Sequence, residues 1–138
     1  MALVLDTGPI YASLDVDDGH HTACLELITG SHETLVIPAP VLPEVDYWCR
    51  RRLRSEAFVD VLDDIGRGSY SVEDLRPADY RRAAELCLTH ADLGVGFVDA
   101  AVLAIVERLR ESKLATLDHR HFSAMRPRHV AALELLPA

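Results

Sequence analysis

The chain has 138 residues, 49% of them hydrophobic and 26% charged, which excludes a disordered or fibrous polymer and matches the size of one ordinary domain. With 14 basic and 22 acidic side chains the net charge is −8, which excludes binding to nucleic acid by bulk attraction, because the phosphate backbone would be repelled. No apolar run approaches the ~20 residues of a membrane span, and Cys24, Cys49 and Cys87 form neither a close pair nor a zinc spacing.

Reduced thiols and a first segment that reaches Asp6 without a basic stretch fit a cytoplasmic protein with no signal peptide. Ala2-Leu3-Val4-Leu5 is continuously apolar and short, as expected of a strand buried on both faces. A short helix opens around Thr7 to Pro9, with Ile10, Tyr11 and Leu14 as its apolar stripe. After Asp17-Asp18-Gly19 a second helix is expected from His20 to Ile28, with Asp18 or Gly19 near its N-cap. Thr34 to Ile37, stopped by Pro38, reads as a second buried strand.

From Pro40 a helix runs through Glu44, Val45 and Trp48 to beyond Leu53, and another spans Ser55 to about Ile65, ended by Gly66 and Gly68. Tyr70-Ser71-Val72 is a weak third strand. Pro77 opens a helix that reaches about His90. Phe97 to Leu109 is the most apolar helix and so belongs in the core. Leu114 to Leu117 is a fourth strand running into Asp118, and Val130 to Leu136 a fifth, closed by Pro137. No repeat or linker divides residues 1–138, so the pattern is one α/β domain with a mainly parallel sheet between helical layers.

Four acids stand out on that fold. Asp6 and Asp118 each follow a buried strand, and ligands of open parallel sheets bind outside the carboxyl ends of the strands. Asp99 starts the most apolar helix, and Glu44 lies in the first turns of the helix after the second strand. Any one of them serves equally as a cap or turn former. Together they crowd like charges at one rim, and a cation is the usual relief. Oxygen ligands select Mg²⁺ or Mn²⁺ over zinc, and the chemistry such an ion supports is phosphoryl transfer.

The stretch LVLDTGPIYA, the acid Glu44 after LVIP, the segment GFVDAAVLA and the closing ATLDHRHF together resemble a PIN-domain protein, specifically the VapC-type ribonuclease toxins of bacterial toxin–antitoxin pairs. The resemblance runs from Leu3 to about Phe122. It implies a three-layer α/β/α sandwich, a Mg²⁺- or Mn²⁺-dependent endoribonuclease, a homodimer, an RNA substrate and a small cognate antitoxin. Asp6, Glu44, Asp99 and Asp118 match the family's four acids, with Thr7 and Thr116 at its hydroxyl positions. Asp6 and Asp99 are the expected principal ligands. Many relatives carry a further acid shortly after the fourth, where this chain reads His119-Arg120-His121. A catalytically silent PIN-like scaffold is the competing reading, and the presence of all four acids counts against it.

His119 and His121 flank the acidic rim, where an imidazole suits RNA contact or proton transfer, whereas His20 and His21 read as surface residues. Asp15 to Gly19 is not a calcium loop, because His20 stands where that loop needs glycine. Arg50, Arg51, Arg52 and Arg54 form a basic run suited either to solvent or to RNA phosphates. Tyr47, Trp48 and Phe58 are candidates for the groove that receives an antitoxin.

Overall fold

Short apolar strands buried on both faces need helices on both sides, and the chain supplies them in alternation. A computed structural model describes all 138 residues. Its order is β1 (Ala2–Leu5), α1 (Thr7–Leu14), α2 (His21–Thr29), β2 (Thr34–Pro38), α3 (Val41–Arg52), α4 (Ser55–Gly66), β3 (Ser71–Glu73) and α5 (Pro77–Thr89). A 3₁₀ turn (Ala91–Leu93), α6 (Phe97–Leu109), β4 (Lys113–Ala115), α7 (His119–Ala124) and β5 (Glu134–Leu136) complete it.

The five strands form one sheet in the order β3-β2-β1-β4-β5, and every pair is parallel. Connections from β1 to β2 and on to β3 run one way across the sheet; those from β3 to β4 and on to β5 run back. Right-handed crossovers therefore lay α1–α4 on one face and α5–α7 on the other. Packing agrees: α1 touches α2 and α3, and α3 touches α4, while α6 touches α5 and α7. The result is an α/β/α sandwich whose strand order reverses at β1. That reversal opens a crevice at the carboxyl ends of β1 and β4.

Seven consecutive residues of α6, Ala100 to Val106, are buried, which only a helix enclosed by sheet and neighbouring helices achieves. Two arginines clamp α5 to α6. Arg82 donates to both carboxylate oxygens of Glu107 at 2.8 and 3.0 Å, and Arg108 donates to Asp79 at 3.0 Å and Glu73 at 2.7 Å. Such forked, partly buried pairs fix orientation as well as adding stability.

Several boundaries differ from the sequence expectations. The α2 N-cap falls on His20, whose amide hydrogen-bonds Asp18 Oδ1 at 2.7 Å. Helix α3 stops at Arg52, because Leu53 leaves helical backbone geometry and packs against the core. Strand β4 ends at Ala115, since Thr116 and Asp118 turn the chain into α7, a helix that periodicity did not suggest. Its six residues bury one large apolar side chain, Phe122, too little for a recognisable stripe. Strand β5 covers Glu134–Leu136 alone, and residues 130–133 are irregular. Gly8 is needed for contact rather than for turning: a Cβ there would lie 3.2 Å from three side-chain atoms of Leu117.

Candidate active site

Register places the first acid. Leu5 of β1 pairs with Ala115 of β4, so the residues that follow, Asp6 and Thr116, leave the sheet side by side. The Asp6 amide donates to the Ala115 carbonyl at 2.9 Å, and Thr116 Oγ1 donates to Asp6 Oδ2 at 2.8 Å. The same Thr116 oxygen accepts the Asp118 amide at 3.0 Å. Asp118 in turn N-caps α7, its Oδ1 accepting the His121 amide at 3.0 Å. Glu44 reaches the rim from the first turn of α3, where its Oε1 accepts the Thr7 hydroxyl at 2.5 Å. Asp99 projects from the first turn of α6.

His121 joins two of these acids. Its Nδ1 lies 2.7 Å from Asp99 Oδ2 and 2.9 Å from Asp118 Oδ2, while Nε2 lies 3.1 Å from the Leu93 carbonyl. Carbonyl and carboxylate oxygens only accept, so Nε2 donates to Leu93 and Nδ1 to the carboxylates, and the metal-free ring is an imidazolium. Asp99, Asp118 and His121 bring one ligand atom each to within 4.8 Å of one another.

The electrostatics are those of a site with surplus negative charge. Burial pushes the Asp6 carboxyl from 3.8 up to about 7; the Thr116 hydroxyl and Thr7 amide hold it down, and the charges of Asp99 and Glu44 drive it up. Burial also raises Asp99, opposed by its hydrogen bond to His121 and assisted by the Asp118 charge. The imidazole of His121 is raised by its bond to Asp99 and by the Asp118 charge, against its own desolvation.

The structure thus brings Asp6, Thr7, Glu44, Asp99, Thr116 and Asp118 to one crevice. His119 places Nε2 3.1 Å from the Thr116 carbonyl beside it and is exposed. The basic run lies further off: Arg50 and Arg51 sit near the far end of α3 and Arg54 just before α4, whereas Glu44 is in the first turn of α3. Six helical residues span ~9 Å. Arg50 pairs with Asp46 at 3.3 Å, and Arg52 stacks 4.6 Å above the Trp48 ring. Of the aromatic candidates Tyr47 is half exposed, while Trp48 and Phe58 pack partly against the core. Sequence set His121 beside the acidic rim, but its position between two carboxylates was not legible, because α7 and the Leu93 carbonyl that anchors it gave no motif. A second feature carried no signal either: Tyr80 and Phe97, from α5 and α6, stack with centroids 6.4 Å apart.

Comparison with known proteins agrees with the fold. The PIN-domain family profile matches residues 3–126. Ribonuclease VapC26 of Mycobacterium tuberculosis is 32% identical over 125 residues, covering 91% of this chain and 93% of that protein. Among crystal structures, Mycobacterium tuberculosis VapC20, described as a sarcin–ricin loop cleaving toxin, superposes with a TM-score of 0.81 at 20% identity, over 93% of this chain and 98% of that one. VapBC2 from Rickettsia felis, bound to a DNA fragment from its promoter, gives a TM-score of 0.69 at 20% identity and covers 98% of both chains. No helix is long and apolar enough to cross a membrane.

Proposed function

This chain belongs to the PIN-domain family, and we propose on that premise that it is a divalent-metal-dependent endoribonuclease, the toxin of a VapBC-type toxin–antitoxin pair, folded as one domain over residues 1–138. The observation that carries the reading is Asp6. It is a buried carboxylate, 5% exposed, beside two further acids, and its polar partners are a hydroxyl and the Thr7 backbone amide rather than a cationic side chain. A charge so placed is costly unless a cation joins it or a proton neutralises it. The donor set is hard and mostly oxygen, which fits Mg²⁺ or Mn²⁺.

Asp6, Glu44, Asp99 and Asp118 are the residues proposed to hold the ion. A bound divalent ion supplies an activated water and neutralises charge developing on the phosphate. The protein's own contribution is placement. Thr116 donates to Asp6 Oδ2 and Thr7 donates to Glu44 Oε1, so each hydroxyl fixes one carboxylate in place. Arg50, Arg51, Arg54 and His119 are the proposed RNA contacts, since local cations must offset a net charge of −8. A small antitoxin is the proposed partner, with Tyr47, Trp48 and Phe58 as part of its groove. The chain is further proposed to act as a homodimer in the cytoplasm.

The test is a cleavage assay on structured RNA with exposed loops, starting with the sarcin–ricin loop named for the VapC20 neighbour. Cleavage should vanish in EDTA and return with Mg²⁺ or Mn²⁺. Undiminished cleavage in EDTA, or none with either ion on any RNA tried, would overturn the reading.

A further inference from the structure

The acids at the crevice are not its sole ligand-type atoms. His121 Nδ1 points between Asp99 Oδ2 and Asp118 Oδ2, at 2.7 and 2.9 Å, and the ring is held there from behind by the Leu93 carbonyl. An ion bound here would replace the Nδ1 proton, which is released to solvent, and leave the arrangement metal-bound histidines adopt: one ring nitrogen faces the ligand set, while the other donates to a backbone carbonyl that fixes tautomer and ring plane. The ring is only partly exposed, 18% by side chain, and it bridges three elements: the 3₁₀ turn, α6 and α7.

We propose that His121 is a direct ligand of the catalytic ion, so that Asp99, Asp118 and His121 form a mixed nitrogen–oxygen site that prefers Mn²⁺ to Mg²⁺. The proposal rests on the metal-dependent reading above and deepens it. The chemistry is that of ligand softness. Mg²⁺ demands hard oxygens and sheds its waters reluctantly, whereas imidazole suits first-row transition ions. An all-carboxylate pocket leaves the choice between the two ions to size and supply; one imidazole tilts it towards Mn²⁺. Where this chain reads His119-Arg120-His121 after the fourth acid, it thus presents a nitrogen at the rim.

The three ligands also hold one another in place. Asp118 holds the His121 amide through Oδ1 and faces the ring with Oδ2, so one carboxylate sets both the start of α7 and the position of the imidazole. Asp99 offers the other oxygen from α6, a helix fixed by burial along seven residues. Ligands mounted on a capped helix and a core helix are held more precisely than ligands on loops.

The experiment uses the full chain freed of metal, titrated with Mn²⁺ and separately with Mg²⁺, and pulsed electron paramagnetic resonance of the Mn²⁺-loaded protein. Nitrogen modulation from a directly bound imidazole is expected in the parent and absent in His121→Asn. That variant should lose roughly tenfold or more in Mn²⁺ affinity and less in Mg²⁺ affinity. His121→Asp, which supplies an oxygen instead, should bind both ions with the Mn²⁺ preference lowered. Asp99→Asn, by losing binding, locates the ion at this site, and melting curves establish that each variant folds. Mn²⁺ bound at the site without nitrogen coupling, with the ion preference unmoved in both His121 variants, would overturn the proposal and leave the metal-dependent nuclease standing. Failure of the folded parent to bind either ion at millimolar concentration would overturn both.

Discussion

Thr116 donates its hydroxyl hydrogen to Asp6 across a separation of 110 residues, at 2.8 Å, while its oxygen receives the amide of Asp118. One hydroxyl therefore ties together two acids that belong to neighbouring strand ends. Thr116→Val keeps the shape and removes both bonds, leaving a buried carboxylate oxygen and an amide without partners. A loss of ~1–3 kcal/mol is expected, together with weaker cleavage. Thr116→Ser should recover most of both. Urea unfolding and RNA cleavage on the three proteins check this, and a valine variant equal to the parent in both would refute it.

Asp6 makes metal-free stability depend on pH in a definite direction. Its carboxyl titrates at 3.8 in the unfolded chain and at about 7 when folded. Below 3.8 both states hold the proton. Between 3.8 and 7 the folded state keeps it while the unfolded state loses it, so stability falls as pH rises through that window. His121, raised above its usual 6.5, adds in the same sense: its contribution is complete below 6.5 and fades as pH climbs through the raised value. Asp6→Asn should therefore melt close to the parent near pH 4 but higher than it near pH 8. A gain of ~2 kcal/mol would correspond to roughly 5–10 °C. The same variant should lose RNA cleavage and the thermal stabilisation that Mg²⁺ or Mn²⁺ gives the parent. Melting temperatures at the two pH values, with and without ion, decide the matter; a variant less stable than the parent at pH 8 would contradict it.

Strands and buried helices were legible because each has a strong period or none at all. Leu3–Leu5 and Ala100–Val106 are so uniformly apolar that only burial on all sides accommodates them, and the fold buries them so. The acids were legible for a related reason: a charge placed directly after an apolar strand has one crevice to face. What the sequence concealed depends on contacts between distant segments. Leu93 contributes a backbone carbonyl, which no side-chain pattern encodes, and α7 is too short to show a period. The registration of Leu5 with Ala115, which sets Asp6 against Thr116, is a property of strand pairing and is not written in either strand alone.

Gly8 transmits to the same crevice through packing. The methyl group of Gly8→Ala would press on Leu117 at 3.2 Å, and Leu117 lies between Thr116 and Asp118. Relief requires Leu117 to move, which shifts both polar neighbours by tenths of an ångström. Cleavage should fall several-fold with a modest loss of stability, on the order of 1 kcal/mol. Shortening the obstacle in the double variant Gly8→Ala/Leu117→Ala should return part of the lost activity. A double-mutant cycle on cleavage rates measures that coupling, and strict additivity of the two changes would show that the contact does not act on the site.

The proposed antitoxin would meet two different surfaces, and its binding should carry the mark of each. The crevice offers carboxylates to an arginine or lysine side chain, which would occupy the place proposed for the ion. Helix α4 offers apolar surface: Val59 is 49% and Leu62 47% exposed, and residues three apart share a helix face. Tyr47 on α3, the helix packed against α4, is exposed to the same degree, 48%. Charge attraction chiefly sets the association rate and is screened by salt, whereas apolar contact chiefly slows dissociation. The on-rate should therefore fall between 50 and 500 mM salt, on the order of tenfold, with the off-rate little changed. Leu62→Glu should do the opposite, speeding release while leaving cleavage by the free chain intact, because Leu62 stands on a helix that contributes none of the four acids. Added Mg²⁺ or Mn²⁺ should weaken inhibition if tail and ion compete for Asp6, Glu44, Asp99 and Asp118. Co-expression with the neighbouring small reading frame, followed by surface plasmon resonance and cleavage assays across salt and metal concentrations, tests all three. A neighbour that neither co-purifies nor suppresses cleavage would remove the antitoxin and leave the nuclease, whereas inhibition indifferent to the ion would move the tail away from the acids.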